Sequence, residues 1–245
     1  MISNIATGIY TGLGVAACAG AAAGWYAYAS TWPGSRVFGT ALTAPPRPGE
    51  MALTFDDGPN ATWTPKMLDI LANNNVRATF FLLGSRAKMQ PQLVQRMVRA
   101  GHLIGNHSWD HPNMARSSAE VIREQMTRTQ NMLEQITGGA VKFFRPPYGA
   151  RRPALFKIAE EIGLQVVLWN AMTSDWSDPS AERIALRLTN KVEAQRQAGR
   201  AANIVLHDGG HRDPAANRAA SVAAAERLIE RYKGAYKFVT LDAWV

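Results

Sequence analysis

The chain has 245 residues, 47% of them hydrophobic, a length that allows two small domains or one large α/β barrel. Its formal net charge of +8 favours an anionic partner, but no stretch combines dense Lys and Arg with aromatic stacking residues, so we expect no nucleic acid. Cys18 is the single cysteine, which excludes an intramolecular disulfide. A metal site in the body of the chain must therefore use His, Asp or Glu.

The first 35 residues contain no Asp, Glu, Lys or Arg. The run from Ile5 to Ala29 is long enough for a membrane-spanning helix, and three aromatic residues near its end suit a membrane interface. We predict that residues 1–30 form an apolar helix that acts as a membrane anchor or an uncleaved signal segment. A cleaved secretory signal and a buried helix of a soluble protein are the alternatives.

Prolines and glycines over residues 31–50 predict an irregular connector, after which residues 51–245 form one domain. Strand patterns fall at 51–55, 76–83, 102–105, 141–144, 164–169, 203–206 and 236–241. Helix patterns fall between them at 64–75, 91–100, 117–137, 153–162, 180–198 and 216–232. This alternation predicts a parallel sheet, either doubly wound or closed into a barrel. No glycine-rich phosphate loop follows a strand, which removes the usual nucleotide-binding reason for an open sheet.

Polar clusters follow the predicted strands at the point where each strand ends. The carboxyl ends of parallel strands open on one face of an α/β fold, and active sites lie there. We therefore expect these clusters to converge on one rim. They are Asp56-Asp57, His107, Arg145 to Tyr148, Asp175-Trp176 and His207.

Asp56 and Asp57 are adjacent carboxylates, which repel each other unless a cation neutralises one and leaves the other as a base. A solvated Asp-Asp-Gly-Pro turn is the alternative interpretation. His107 and His111 have the i, i+4 spacing that places two imidazoles on one side of a helical turn. His207 and His211 share that spacing, but the two glycines between them argue against a helix. With Asp57, the first histidine pair predicts a metal site with two His and one carboxylate.

A zinc ion in such a site lowers the pKa of bound water toward ~7 and polarises a carbonyl oxygen. Hydrolysis then needs a base near the water and an acid for the leaving group. We expect Asp56 in the first role and His207 in the second. Cobalt and nickel also bind His and Asp, so the sequence leaves the metal open.

Five motifs occur in order along the chain. They are T-F-D-D-G-P at Thr54 to Pro59, H-S-x-x-H at His107 to His111, R-P-P-Y at Arg145 to Tyr148, D-W at Asp175-Trp176 and L-H-D at Leu206 to Asp208. These motifs resemble those of the polysaccharide deacetylases of carbohydrate esterase family four, whose shared domain is the NodB homology domain. The resemblance covers the chain from about Met51 onward and implies a distorted seven-stranded (β/α) barrel.

The resemblance implies a role for each matching residue. Asp56 is the expected base, with Asp57, His107 and His111 as metal ligands. The backbone N–H of Tyr148 would help to stabilise the oxyanion.

Two further pairs of roles also come from the resemblance. Arg145 would orient Asp56, and Trp176 would pack beside the acid His207 and shape the acetyl pocket. One position departs from the family pattern, because Met172 stands where the family has the aspartate that holds the motif-three arginine. We expect Asp175 to take over part of that role.

The implied activity is metal-dependent hydrolysis of N-acetyl groups on N-acetylglucosamine-type sugars of a polysaccharide, such as peptidoglycan or a chitin-like glycan. An O-acetyl esterase acting on xylan, a catalytically dead glycan-binding module and a cytoplasmic deacetylase of small amines are the alternatives. Arg36 and Arg47 follow the apolar segment and by the positive-inside rule favour the cytoplasm. Two arginines are a weaker indication of location than the polymeric substrate, so we expect a membrane-anchored or secreted domain outside the cytoplasm. The oligomeric state stays open.

Overall fold

Strand β1 (Glu50–Gly58) lies at the centre of a parallel sheet and pairs with three other strands. The computed structural model describes residues 20–245. The remaining strands are β2 (Thr79–Leu82), β3 (Leu103–Asn106), β4 (Phe143–Phe144), β5 (Gln165–Val166), β6 (Ala171–Met172), β7 (Ala202–His207) and β8 (Lys237–Phe238). The helices are α1 (residues 20–31), α2 (Trp63–Asn73), α3 (Gly84–Met89), α4 (Pro91–Arg99), α5 (Ala119–Thr137), α6 (Pro153–Glu161), α7 (Ala181–Gln197) and α8 (Ala219–Tyr232), with 3₁₀ turns at Pro147–Gly149 and Leu241–Trp244.

The strand order is β5-β4-β3-β2-β1-β7-β6, with β8 beside the first residues of β1. All described pairs are parallel, so the carboxyl ends of the strands share one edge. The seven strands form a curled half-barrel, which is consistent with the predicted distorted barrel. Helices cover the outer face, and the carboxyl-end edge is left for the site.

The alternation of side chains along β1 explains how it serves both the core and the site. Met51, Leu53 and Phe55 pack into the main hydrophobic core. Thr54 and Asp56 therefore point to the opposite face, because successive strand residues alternate. The pairing of β1 with β2 shifts register between Asp56 and Gly58, so the irregularity falls at the two carboxylates, near the carboxyl end of the strand.

The predicted order of strands and helices matches the structure, with two additions. Helix α3 and strand β6 were not predicted, because six residues are too few to show a helical period and β6 comes directly after the predicted strand at 164–169. Asp175 consequently follows β6 and not the strand at 164–169.

The predicted connector packs against the sheet. Leu42 pairs with Val167 beyond the end of β5, and its backbone N–H donates to the carbonyl of Val166 at 2.9 Å. The side-chain amide of Asn203 on β7 donates to the carbonyls of Thr43 and Leu168, both at 2.8 Å. Residues 42–43 therefore link the strand at one end of the sheet to β7.

The predicted apolar helix over residues 1–30 falls mostly on residues 1–19, which lie outside the described part of the chain. Residues 20–31 are helical, and Ala29 and Ser30 at the end of this helix are buried. Within residues 20–245, no helix combines the length and hydropathy needed to cross a bilayer.

Candidate active site

Three predicted ligands meet in a buried cluster at the carboxyl edge of the sheet. Oδ1 of Asp57 lies 3.5 Å from Nε2 of His107 and 3.3 Å from Nε2 of His111. These atoms lie within 4.8 Å of one another, as ligands around one cation would. Within the described residues, Oδ1 of Asp57 is buried and has no hydrogen-bond partner. An unpartnered carboxylate oxygen facing two imidazole nitrogens fits a divalent metal ion.

The atoms behind these ligands fix their orientation. Nδ1 of His107 lies 2.7 Å from the carbonyl of Arg145 and must donate to it, so Nε2 keeps its lone pair free toward Asp57. Oδ2 of Asp57 lies 3.2 Å from Nδ1 of His211, whose ring stacks on His111 at 4.1 Å between centroids. Burial raises the pKa of Asp57, but the hydrogen bond with His211 and the charges of the other histidines outweigh it and lower the pKa overall.

The histidine pair lies on a loop, so the predicted helical turn was wrong. Residues 107–111 have no helical assignment, and Ser108 and His111 have φ of 71° and 69°. The loop is held by side chains: Asn106 accepts from the N–H of Ser108 at 2.9 Å, and Ser108 accepts from the N–H of His111 at 3.1 Å. Left-handed backbone at non-glycine residues is strained, and it occurs here at two of the three metal-ligand candidates, Asp57 and His111.

Asp56, the predicted base, is held by Arg145. Nη1 of Arg145 donates to Oδ1 of Asp56 and to Oγ1 of Thr54, both at 2.7 Å. The arginine is fully buried, and its guanidinium lies 4.1 Å from the Phe81 ring centroid. Its Nε and Nη2 have no partner among the described residues. This unpartnered side of the guanidinium agrees with the methionine at position 172, where the family pattern has an aspartate.

His207, the predicted acid, is held by Asp175. Oδ1 of Asp175 lies 2.9 Å from Nδ1 of His207, and Oδ2 accepts from the His207 backbone N–H at 2.8 Å. Oγ of Ser221 donates to the same Oδ2 at 2.7 Å. Burial alone would lower the pKa of His207, but the charge and hydrogen bond of Asp175 raise it to about 9. Asp175 therefore serves the acid, and the expectation that it would hold Arg145 was wrong.

A cavity of about 480 Å³ joins these groups and opens to solvent. Asp56, the three ligand candidates and His207 line it, whereas Arg145 and Asp175 lie behind the wall. Tyr148 and Trp176 stand at the mouth with 49% and 46% of their surface exposed, and the Trp176 ring lies 5.1 Å from that of His207. The structure thus brings every predicted site residue to one cavity or directly behind it.

The glycine pair after β7 allows the two halves of the site to approach. A Cβ on Gly209 would lie 2.1 Å from the carbonyl oxygen of Asp57, and a Cβ on Gly210 would lie 2.8 Å from the carbonyl oxygen of Asp213. The glycines that argued against a helix at His207 to His211 are therefore required by close packing. His211, which the sequence pattern did not place in the metal site, contacts it through a hydrogen bond from Nδ1 to Oδ2 of Asp57.

Comparison with known proteins identifies the family of this chain. The family model described as Polysaccharide deacetylase matches residues 43–167. A peptidoglycan-N-acetylglucosamine deacetylase of Bacillus cereus is 40% identical over 205 residues, which cover 83% of this chain and 70% of the relative. A chitooligosaccharide deacetylase of Azorhizobium caulinodans is 35% identical over 200 residues, 79% of this chain and 92% of the relative.

Two solved structures extend the comparison to the fold. The crystal structure of the Bc1960 peptidoglycan N-acetylglucosamine deacetylase superposes with a TM-score of 0.73 at 37% identity and covers 83% of this chain and 91% of that one. The structure of a pseudoenzyme of carbohydrate esterase family four from Bacillus anthracis also superposes with a TM-score of 0.73. It is 27% identical and covers 83% of this chain and 68% of that one. The chain belongs to the polysaccharide deacetylase family, as the motifs predicted. It is a hydrolase of that family.

Proposed function

We propose that this protein is a metal-dependent enzyme that removes N-acetyl groups from N-acetylglucosamine units of a polysaccharide, peptidoglycan or a chitin-like glycan. One observation carries the proposal. An arginine-held carboxylate, a metal-binding cluster with an unpartnered oxygen, and an aspartate-held histidine share one cavity. These are the three parts that amide hydrolysis needs.

Asp57, His107 and His111 would hold the metal ion. When bound, the ion supplies Lewis acidity to the amide carbonyl and acidity to water. We propose zinc, because two imidazoles and one carboxylate form a common catalytic zinc set with open positions, and cobalt or nickel as substitutes.

The chain's own residues would carry the protons. The oxygen of water bonds to the amide carbon while Asp56, fixed by Arg145, takes a proton from that water. The backbone N–H of Tyr148 would donate to the negative oxygen that develops on the carbonyl. His207 then gives its proton to the departing nitrogen as the C–N bond breaks, which releases acetate and a free amine.

The decisive experiment measures acetate release by the full-length protein from N-acetylglucosamine hexamers and from acetylated xylan. Chelation and re-addition of zinc, cobalt or nickel test the metal, with Asp57→Ala as the inactive control. The full chain is needed because residues 30–43 contact the domain, so a fragment beginning at residue 40 would lose part of those contacts. If neither substrate releases acetate after metal is restored, the proposed enzyme activity is refuted. If only acetylated xylan releases acetate, the proposed amide substrate is refuted.

We also propose that the protein is membrane-anchored with its catalytic domain outside the cytoplasm. The uncharged, apolar run over Ile5 to Ala29 and the polymeric substrate support this location. Fractionation of cells that express the full chain or a variant lacking residues 1–19, followed by protease treatment of intact cells, tests it. Recovery of the full chain in the cytosolic fraction would rule the anchor out.

A further inference from the structure

A second groove continues from the catalytic cavity. Its volume is about 600 Å³, within the ~300–1,000 Å³ typical of ligand sites. Tyr148, Trp169 and Met172 line both spaces, so the groove and the cavity adjoin. The far wall is built by residues 31–36, which sequence analysis assigned to an irregular connector.

Arg151 fixes this wall to the catalytic domain. The side chain is buried and donates to the carbonyls of Ser30, Trp32, Ser35 and Gly149. Gly149 belongs to the 3₁₀ turn that carries Tyr148. The wall and the mouth of the catalytic cavity therefore share one support, and the groove has a defined shape without a ligand.

The charged side chains that line the groove are all positive. Arg36, Lys191 and Arg200 line it, and its described lining residues include no Asp or Glu. Within residues 20–245, none of the three forms an ion pair with a carboxylate, although Arg200 donates to Thr43 and Ala44. Cations left without partners along one groove attract an anionic ligand.

Trp32 adds an apolar surface beside these cations. Its side chain is 59% exposed and its ring stacks on Tyr28 at 6.4 Å between centroids. A large exposed aromatic ring at the edge of a groove is typical of a binding surface. A sugar ring has an apolar face of similar width, and Trp32 lines the same groove as Arg36, Lys191 and Arg200.

We propose that this groove binds the sugar next to the one being deacetylated and that Arg36, Lys191 and Arg200 bind a carboxylate carried by that part of the glycan. The inference rests on the proposed deacetylase function and deepens it. The preferred substrate is then an acidic N-acetylated glycan, and neutral oligomers are poorer substrates because they leave the three cations unpaired.

The test compares kcat/KM for acetate release from three N-acetylglucosamine oligomers of equal length. One is neutral, one carries O-carboxymethyl groups on its sugars, and one carries a short acidic peptide. The wild-type protein should prefer at least one acidic oligomer roughly ten-fold, the effect of one charge-assisted contact. The two acidic substrates show whether the carboxylate belongs to the sugar or to an appended peptide.

Lys191→Glu and Arg36→Glu should each lower the acidic-to-neutral ratio roughly ten-fold or more, and Lys191→Arg should restore it. Lys142→Glu is the matched control, since Lys142 is exposed at the amino end of β4, away from the carboxyl-end edge. An equal ratio in the wild type and both Glu variants would overturn the inference while acetate release still supports the deacetylase. No release from any oligomer would instead refute the deacetylase.

Discussion

The two sides of the catalytic cavity are built in opposite ways. On the ligand side, Oδ1 of Asp57 is buried without a hydrogen-bond partner among the described residues and faces Nε2 of His107 and His111. On the acid side, both oxygens of Asp175 are occupied by His207 and Ser221. Buried polar atoms are normally satisfied, so the unpartnered oxygen marks the place for a group that comes from outside the chain. The acid side instead holds a proton on His207.

Removing the Asp57 carboxylate should have the largest effect on the ligand side. In Asp57→Ala, two imidazoles alone would face the metal, and we expect loss of bound metal and a fall in acetate release of more than roughly 100-fold, the upper range for second-shell changes. Metal content by mass spectrometry and acetate release measure the two effects. Asp110→Ala is the control, since Asp110 is an exposed carboxylate in the same loop. A metal-loaded, active Asp57→Ala protein would contradict the ligand assignment.

Asp175→Asn tests the acid side. Without the Asp175 charge, the pKa of His207 should fall from about 9 toward the ordinary value of 6.5, which moves the alkaline limb of the kcat profile in the same direction. At pH 8 a histidine with a pKa of about 6.5 is only about 3% protonated, so kcat should drop roughly 30-fold there. An unchanged alkaline limb would show that His207 is not the acid.

The pair of His207 and Asp175 also makes the stability of the fold depend on pH. The folded-state pKa of His207 is raised above its ordinary 6.5, so the pair stabilises the fold fully below pH 6.5 and loses this contribution as pH rises through about 9. The difference in Tm between wild type and Asp175→Asn should therefore be larger at pH 6 than at pH 10. Equal differences at both values would contradict the linkage.

The sequence predicted the cavity better than it predicted the contacts that support it. Alternating strands and helices placed Asp56, His107 and His207 at strand ends, and parallel geometry brought them together. The partner of Asp175 could not be predicted, because its contacts reach 32 and 46 residues along the chain to His207 and Ser221. Tertiary contacts over such distances leave no local period in the sequence.

His211 allows a finer test of the ligand side. His211→Ala removes the donor to Oδ2 of Asp57 and should weaken metal affinity roughly ten-fold. His211→Asn places an amide donor near the position of Nδ1 and should recover most of that loss. Competition with a chromogenic chelator measures the affinity independently of activity. Identical affinity in wild type and Ala variant would show that the hydrogen bond does not position the ligand.

Met172→Asp would give the unpartnered nitrogens of Arg145 a carboxylate acceptor, and it has the smallest expected effect of these substitutions. Nε and Nη2 of the buried Arg145 lack partners among the described residues, and an unsatisfied buried donor costs roughly 1–3 kcal/mol. The family resemblance places a carboxylate at position 172 against this arginine, so the variant should gain up to about that free energy of unfolding at pH 7. The gain should vanish on acidification, because pairing with arginine lowers an Asp pKa and stabilises only the ionised form. Met172→Leu keeps the volume without the acceptor, and equal denaturation midpoints for the Asp and Leu variants would contradict the missing-partner interpretation.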